Sequence, residues 1–164
     1  EVVSADRQML TDDIAHYTFL VEVGPGQYDH IGIHRVVRER RPFQPIRTKK
    51  AVFMQHGAST DFTYCFLPGL YSESTPDEFG IALFLAANDV DVWGIDQRWT
   101  LVPPEETNFD FMATWDMQMH IDDIGALVRR CLADGAPAGI FNGGSGREIA
   151  IATAARAIAR ALSG

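Results

Sequence analysis

Ala138-Gly139-Ile140-Phe141-Asn142-Gly143-Gly144-Ser145-Gly146-Arg147-Glu148 is the stretch on which the reading of this chain turns, and an alanine-rich run follows it directly. A short apolar strand, a glycine-flanked serine and a helix over about Glu148–Leu162, in that order, form the outline of a nucleophile elbow. On such a turn the Ser145 hydroxyl stands clear of the sheet. The helix behind it aims its first backbone N–H groups at charge developing on a substrate. Gly143 takes the place of the first glycine of Gly-x-Ser-x-Gly, and Arg147 stands where the second belongs, so its side chain must point outward or into a pocket. Two other readings use the same residues. One is a glycine-rich strand-to-helix turn with Ser145 as helix cap. The other is a dinucleotide loop begun by Gly144-x-Gly146, in which Ile149 replaces the third glycine and the motif closes the chain instead of opening it.

Working outward, the segment before the elbow reads as a helix over Thr114–Ala133, with Met117, Ile121, Ile124, Leu127, Val128 and Cys131 at helical spacing. Gly135-Ala136-Pro137 stops it. Two continuously apolar strands lie further back, Ala51–Gln55 and Val90–Asp96, the pattern of strands buried on both faces in a parallel sheet. Between them a helix runs over Glu78–Asn88 with Pro76 as its start signal. Tyr17–Val23 and His30–Arg38 are β-rich runs joined by Gly24-Pro25-Gly26-Gln27-Tyr28-Asp29, which reads as an antiparallel hairpin. After the hairpin, strand and helix alternate, the order of an α/β fold with a parallel sheet.

Two further segments carry candidate chemistry. His56-Gly57-Ala58 closes the strand Ala51–Gln55, and a glycine turn there can offer a backbone N–H to a developing oxyanion. Ala58 is the candidate donor, with Gly146 as the second; the other reading is a strand-end turn with His56 packed or exposed. In Trp93-Gly94-Ile95-Asp96-Gln97-Arg98-Trp99, Asp96 and Arg98 are read as an ion pair bracing the loop. The apolar residues Phe62, Tyr64, Phe66, Leu67, Leu70 and Tyr71 after the His-Gly turn read either as a site for a hydrophobic acyl or alcohol group or as core.

Composition sets the outer limits. With 164 residues and 46% hydrophobic content the chain is one domain long and able to bury a core. Its net charge of −8 disfavours nucleic acid as partner. Seven of its 14 basic residues nevertheless fall between Arg35 and Lys50, either a basic interaction patch or a solvated loop between strands. No apolar run approaches the roughly 18 residues of a membrane span. Cys65 and Cys131 match no zinc spacing and form no CxxC, so no metal and no cofactor is expected from them. The chain opens at Glu1 with no signal-like apolar segment behind it, which leaves secreted and cytoplasmic locations both open.

Taken together, Val52-Phe53-Met54-Gln55-His56-Gly57, Asp91-Val92-Trp93, Asp96-Gln97-Arg98, Phe111-Met112-Ala113-Thr114-Trp115-Asp116-Met117 and the Ser145 segment resemble the N-terminal half of an α/β-hydrolase, closest to its lipase and esterase branch. Trp99 departs from the family's Asp-x-Arg-Gly pattern. The resemblance implies a sheet in the order 1-2-4-3-5, an antiparallel hairpin followed by parallel strands flanked by helices, with Ser145 leaving strand five. It also implies a serine hydrolase acting on carboxylic esters through an acyl-enzyme on Ser145. Ala58 and Gly146 would form the oxyanion hole, supported by His56, Gly57, Gly143 and Gly144. The family's acid and histidine follow the serine, whereas His16, His30, His34, His56 and His120 all precede Ser145. The expectation is therefore that residues 1–164 are the N-terminal portion of one domain, completed by a C-terminal half or a second chain. The partners implied are a small-molecule ester and that completing segment. A non-catalytic binding protein of the same fold is the alternative.

Overall fold

Three segments with alternating side-chain placement build the platform on which the rest packs. They are β1 (Val2–Met9), β2 (Ile14–Glu22) and β3 (His30–Arg41), consecutive antiparallel strands in a computed structural model that describes residues 1–76, 79–133, 140–141 and 148–149. The Thr11 hydroxyl accepts the Ile14 N–H at 3.0 Å and closes the β1–β2 turn. In the β2–β3 connection the Asp29 carboxylate accepts the Gly26 N–H at 2.9 Å; side chain-to-backbone bonds of this kind are why Thr and Asp populate turns. Past Phe43, which sits at φ 58°, β4 (Gln44–Pro45) folds back on the end of β3.

β5 (Lys50–Gln55) and β6 (Val90–Asp96) are the apolar strands read from the sequence, and they pair in parallel. The sheet order is β1-β2-β3-β6-β5. For the hairpin and the two apolar strands this is the expected 1-2-4-3 succession, with β1 added outside it. The expected run of parallel strands is corrected: β5–β6 is the one parallel pair among the described strands, and β6 joins β3 antiparallel. Among the described residues no fifth strand pairs with β5. Ile140–Phe141 (β7) instead pairs antiparallel with Glu148–Ile149 (β8) in a separate two-stranded sheet. The helix expected over Glu148–Leu162 therefore does not begin at Glu148, and its remaining residues lie outside those described. β5 itself is half-buried instead of covered on both faces.

The helices are shorter than their patterns. α1 (Phe62–Phe66) is capped by Asp61, whose carboxylate accepts the Tyr64 N–H at 2.7 Å, and a single 3₁₀ turn, Pro68–Leu70, follows it. α2 spans Ile81–Ala87: Pro76 opens a turn, with its carbonyl accepting the Phe79 N–H at 3.0 Å, rather than the helix itself. α3 spans Met117–Ala133, its start fixed by the Asp116 carboxylate on the Met119 N–H at 2.8 Å, while Asp110–Thr114 forms a 3₁₀ turn.

Side chains two apart on a strand share a face, and the two faces of this sheet carry different layers. On one, Ile14, Val36 and Val92 pack with Phe62, Leu67, Ala82, Leu83 and Ala86 from α1, α2 and their connection. On the other, Ile31 and Ile95 meet Leu127 of α3. Phe62 and Leu67 thus belong to the core, while Tyr64 and Tyr71 are each 58% exposed. Arg40, Arg41, Arg47, Lys49 and Lys50 are exposed and enter no ion pair with the described residues, so this part of the basic segment is a solvated surface.

Candidate active site

Parallel strands place their carboxyl ends, and the loops that leave them, side by side, which is where open α/β sheets bind ligands. β5 and β6 end together here, Gln55 opposite Ile95, so His56 and Asp96 emerge at the same level. His56 turns inward and is 5% exposed, and its Nδ1 donates to the Gly57 carbonyl at 2.7 Å. The Gly57 carbonyl also accepts the Thr60 hydroxyl at 2.8 Å, which closes the turn under the exposed Gly57-Ala58-Ser59 segment. Ser59 holds φ 65°, and among the described residues the Ala58 N–H has no hydrogen-bond partner. A backbone donor without an internal acceptor, on a tightened turn at a strand's carboxyl end, suits an incoming oxyanion.

Behind the turn runs a buried polar chain that the sequence did not announce. One Asp96 oxygen accepts the Phe62 N–H at 2.7 Å and the other accepts His34 Nε2–H at 2.9 Å. His34 Nδ1 lies 2.9 Å from His16 Nε2. A carboxylate only accepts, so in the neutral chain the hydrogens run one way, from His16 to His34 to Asp96. Burial first and the neighbouring His34 second push the His16 imidazole down to about 3, against a smaller upward pull from Asp96. For Asp96, burial pulls upward, but the bonds from His34 and the Phe62 N–H outweigh it and hold the carboxyl below its ordinary range. His56 Nε2 points at the same carboxylate from 3.7 Å, beyond hydrogen-bond reach, and has no hydrogen-bond partner among the described residues.

Two glycines make room for this chain. A Cβ on Gly94 would overlap the Phe62 ring, which lies flat on His34 at 4.5 Å between ring centres. A Cβ on Gly32 would meet the Asp96 Cβ at 3.0 Å.

The expected Asp96–Arg98 pair is corrected. Arg98 lies in the 3₁₀ turn Arg98–Leu101, donates through Nε and Nη2 to Asp123 of α3 at 2.7 and 2.9 Å, and through Nη1 to Asp29 at 2.6 Å. It therefore ties α3 and the β2–β3 connection to the end of β6. Trp99 follows, its ring 6.3 Å from His56 and 4.6 Å from His120 of α3, both edge-on. Tyr28 packs on Phe111, and Phe111 on Trp115, a separate aromatic cluster between the β2–β3 connection and the loop before α3.

Of the site residues read from the sequence, His56, Gly57 and Ala58 are brought together as one turn. Ser145, Gly143, Gly144 and Gly146 lie outside the described residues, as does Arg147. His16 and His34 were missed, although a signal existed. Each histidine sits at an inward position of an alternating strand, and a histidine on an inward position needs a polar partner. No cluster able to hold a metal ion occurs among the described residues, and no helix there is long and apolar enough to cross a membrane.

The fold so described is a mixed α/β sheet of mostly antiparallel strands with helices on both faces. No family model and no curated protein matches the chain. Among solved structures it is similar to a crystal structure of a "putative lipase" from Sulfolobus solfataricus, with a TM-score of 0.62, 22% identity and 80% of this chain covered. The chain spans 39% of that protein's length. The likeness is one of fold.

Proposed function

We propose that residues 1–164 are the N-terminal portion of a single α/β-hydrolase domain and that the protein cleaves carboxylic esters with Ser145 as nucleophile. The observation that carries this reading is the His56-Gly57-Ala58 turn. It leaves the carboxyl end of the parallel pair, is backed by Asp96, and holds an Ala58 N–H without a partner among the described residues. The likeness to the Sulfolobus solfataricus fold supports the same reading. Ser145 Oγ attacks the ester carbonyl, a histidine base takes the serine proton, and the resulting oxyanion is held by the Ala58 and Gly146 N–H groups. The base then returns the proton to the leaving alkoxide, and water releases the acid from the acyl-enzyme. That histidine and its acid partner come from the C-terminal half or a second chain. Gly143 and Gly144, which flank the serine in the sequence, support it, and no cofactor is needed. Trp99, edge-on to His56, favours an ester with an apolar group.

A second reading, a non-catalytic binding protein of the same fold, draws support from Arg147 in place of the second elbow glycine and from Glu148–Ile149 lying in a strand. One experiment separates the two. In the protein carrying the remainder of the domain, a fluorophosphonate labels Ser145, and Ser145→Ala abolishes labelling and ester hydrolysis together. Undiminished hydrolysis by Ser145→Ala would sink the assignment.

A further inference from the structure

We propose that Asp96 is the positioning residue of the oxyanion turn, one carboxylate that sets where the Ala58 N–H points. The inference rests on reading that turn as an oxyanion donor and gives the carboxylate behind it the further part of aiming the donor. Gly57–Asp61 is the segment between β5 and α1, and Asp96 faces both of its flanks. At the far flank it accepts the Phe62 N–H at 2.7 Å, and at the near flank it faces His56 Nε2 at 3.7 Å. The turn's other side-chain ties run to His56, within the turn, or to the segment after it: His56 Nδ1 and the Thr60 hydroxyl to the Gly57 carbonyl, Cys65 to the Thr60 hydroxyl, and the Tyr64 N–H and Tyr71 hydroxyl to Asp61. None of these reaches β6. Among the described residues Asp96 is thus the polar link between the turn and β6, the strand that sets the level of the site.

The link is worth having only if Asp96 itself cannot swing, and the buried chain supplies that restraint. His34 Nε2–H holds one carboxylate oxygen at 2.9 Å, and His16 holds His34 at 2.9 Å. The Phe62 ring, whose backbone N–H is the group being held, also lies flat over His34 and seals the chain. His16 and His34 come from β2 and β3, so the orientation of a turn on β5 is referred to two strands on the other side of β6. Trp99 closes the remaining side of His56.

Amide hydrogen exchange on the protein reads the turn directly, whether or not it catalyses. Asp96→Ala removes the acceptor. Exchange over 57–62 is expected to rise about 10–100-fold relative to the exchange of the core strands, the scale of a lost charge-assisted bond. Asp96→Asn keeps an acceptor for the Phe62 N–H, and His34 and His16 can reverse their tautomers to meet the new amide, so it recovers part of the protection. Val37→Ala, buried on the opposite face of the sheet with Ala15 and Tyr17, lowers global stability and leaves the ratio of turn to core exchange unchanged. If Asp96→Ala does not fold, Asp96→Asn decides alone, with turn exchange raised above that ratio. Turn exchange that rises no more than in Val37→Ala overturns the inference. Fluorophosphonate labelling of Ser145 in the unsubstituted protein judges the hydrolase reading separately. Absent labelling with responsive turn exchange removes the hydrolase reading and leaves Asp96 holding the turn, whereas labelling with unresponsive exchange removes Asp96's role alone.

Discussion

Replacing His16 by glutamine should flatten the dependence of stability on pH between 7 and 5. His16 is 5% exposed, and burial lowers its imidazole from 6.5 in the unfolded chain to about 3 in the fold. A group whose folded value is depressed stabilises fully above its unfolded value and loses that contribution as pH falls toward the folded one. The loss therefore begins near pH 6.5 and runs down to about pH 3. Each unit of separation corresponds to about 1.36 kcal/mol, which gives roughly 2 kcal/mol lost between pH 7 and 5 and about 4 kcal/mol by pH 3. Glutamine places an amide N–H where His16 Nε2 donates to His34, so the chain to Asp96 keeps its direction while the titrating ring disappears. Some stability goes at every pH, because the ring also stacks on His34 at 5.1 Å.

The measurement is urea unfolding followed by circular dichroism at pH 7, 6 and 5, with the slope on urea checked for constancy. Wild type should lose about 2 kcal/mol more than His16→Gln across that interval. His120, which burial also lowers, titrates alike in both proteins and cancels in the difference. Asp96 is held below the usual carboxylate range, so its contribution is lost only at lower pH. Equal losses in the two proteins would show that His16 is not buried as a neutral ring, and the hydrogen-bonded chain would fail with it.

Three further outcomes follow from the same geometry. Arg98→Ala strips Asp123 and Asp29 of a common partner inside the structure and should lower stability by about 3–5 kcal/mol in chemical denaturation, with Arg98→Lys recovering a fraction because it cannot grip Asp123 bidentately. Gly94→Ala drives a methyl into the Phe62 ring and should cost about 1–3 kcal/mol, and Phe62→Leu in the same chain should make the alanine less damaging than it is alone. In the complete protein Ala58→Pro deletes the donor and should cut turnover about a hundredfold with a smaller effect on KM, while Ala58→Gly, which keeps the N–H, should stay near wild type.

How much of this was legible in the sequence depended on how local the determining physics was. Strands β5 and β6 showed themselves because continuous apolar runs bounded by turns have few other uses, and the β2–β3 hairpin because its loop is rich in Gly and Pro. β1 did not, since Ser4, Asp6, Arg7 and Gln8 carry no apolar alternation. As an edge strand it owes its place to the ladder with β2, with Arg7 reaching the buried Glu39. The start of α2 was misplaced for a similar reason. Pro76 suits the first turn of a helix and an isolated turn equally well, and only the packing of Ala82, Leu83 and Ala86 against the sheet decides where the helix begins.

Asp96 was misread at the point where one periodicity gives way to another. Two residues apart on a strand, Asp96 and Arg98 would share a face, and an ion pair between them would be the natural reading. The strand ends at Asp96, however, and from Arg98 the chain runs as a 3₁₀ turn, which carries the guanidinium to Asp123 on the α3 face of the sheet. Asp96 is left facing the other layer, where Gly32 and Gly94 have cleared space for it and for Phe62. Those two glycines are a local signature of a polar group at the sheet surface, yet the partners they admit, His16 and His34, stand far off in the sequence. A site of this kind becomes readable only when the strand register is known, because Gly32 opposite Asp96 and His34 opposite Gly94 are statements about pairing and not about composition. The same dependence explains why His56-Gly57-Ala58 could be picked out at once while the carboxylate behind it could not.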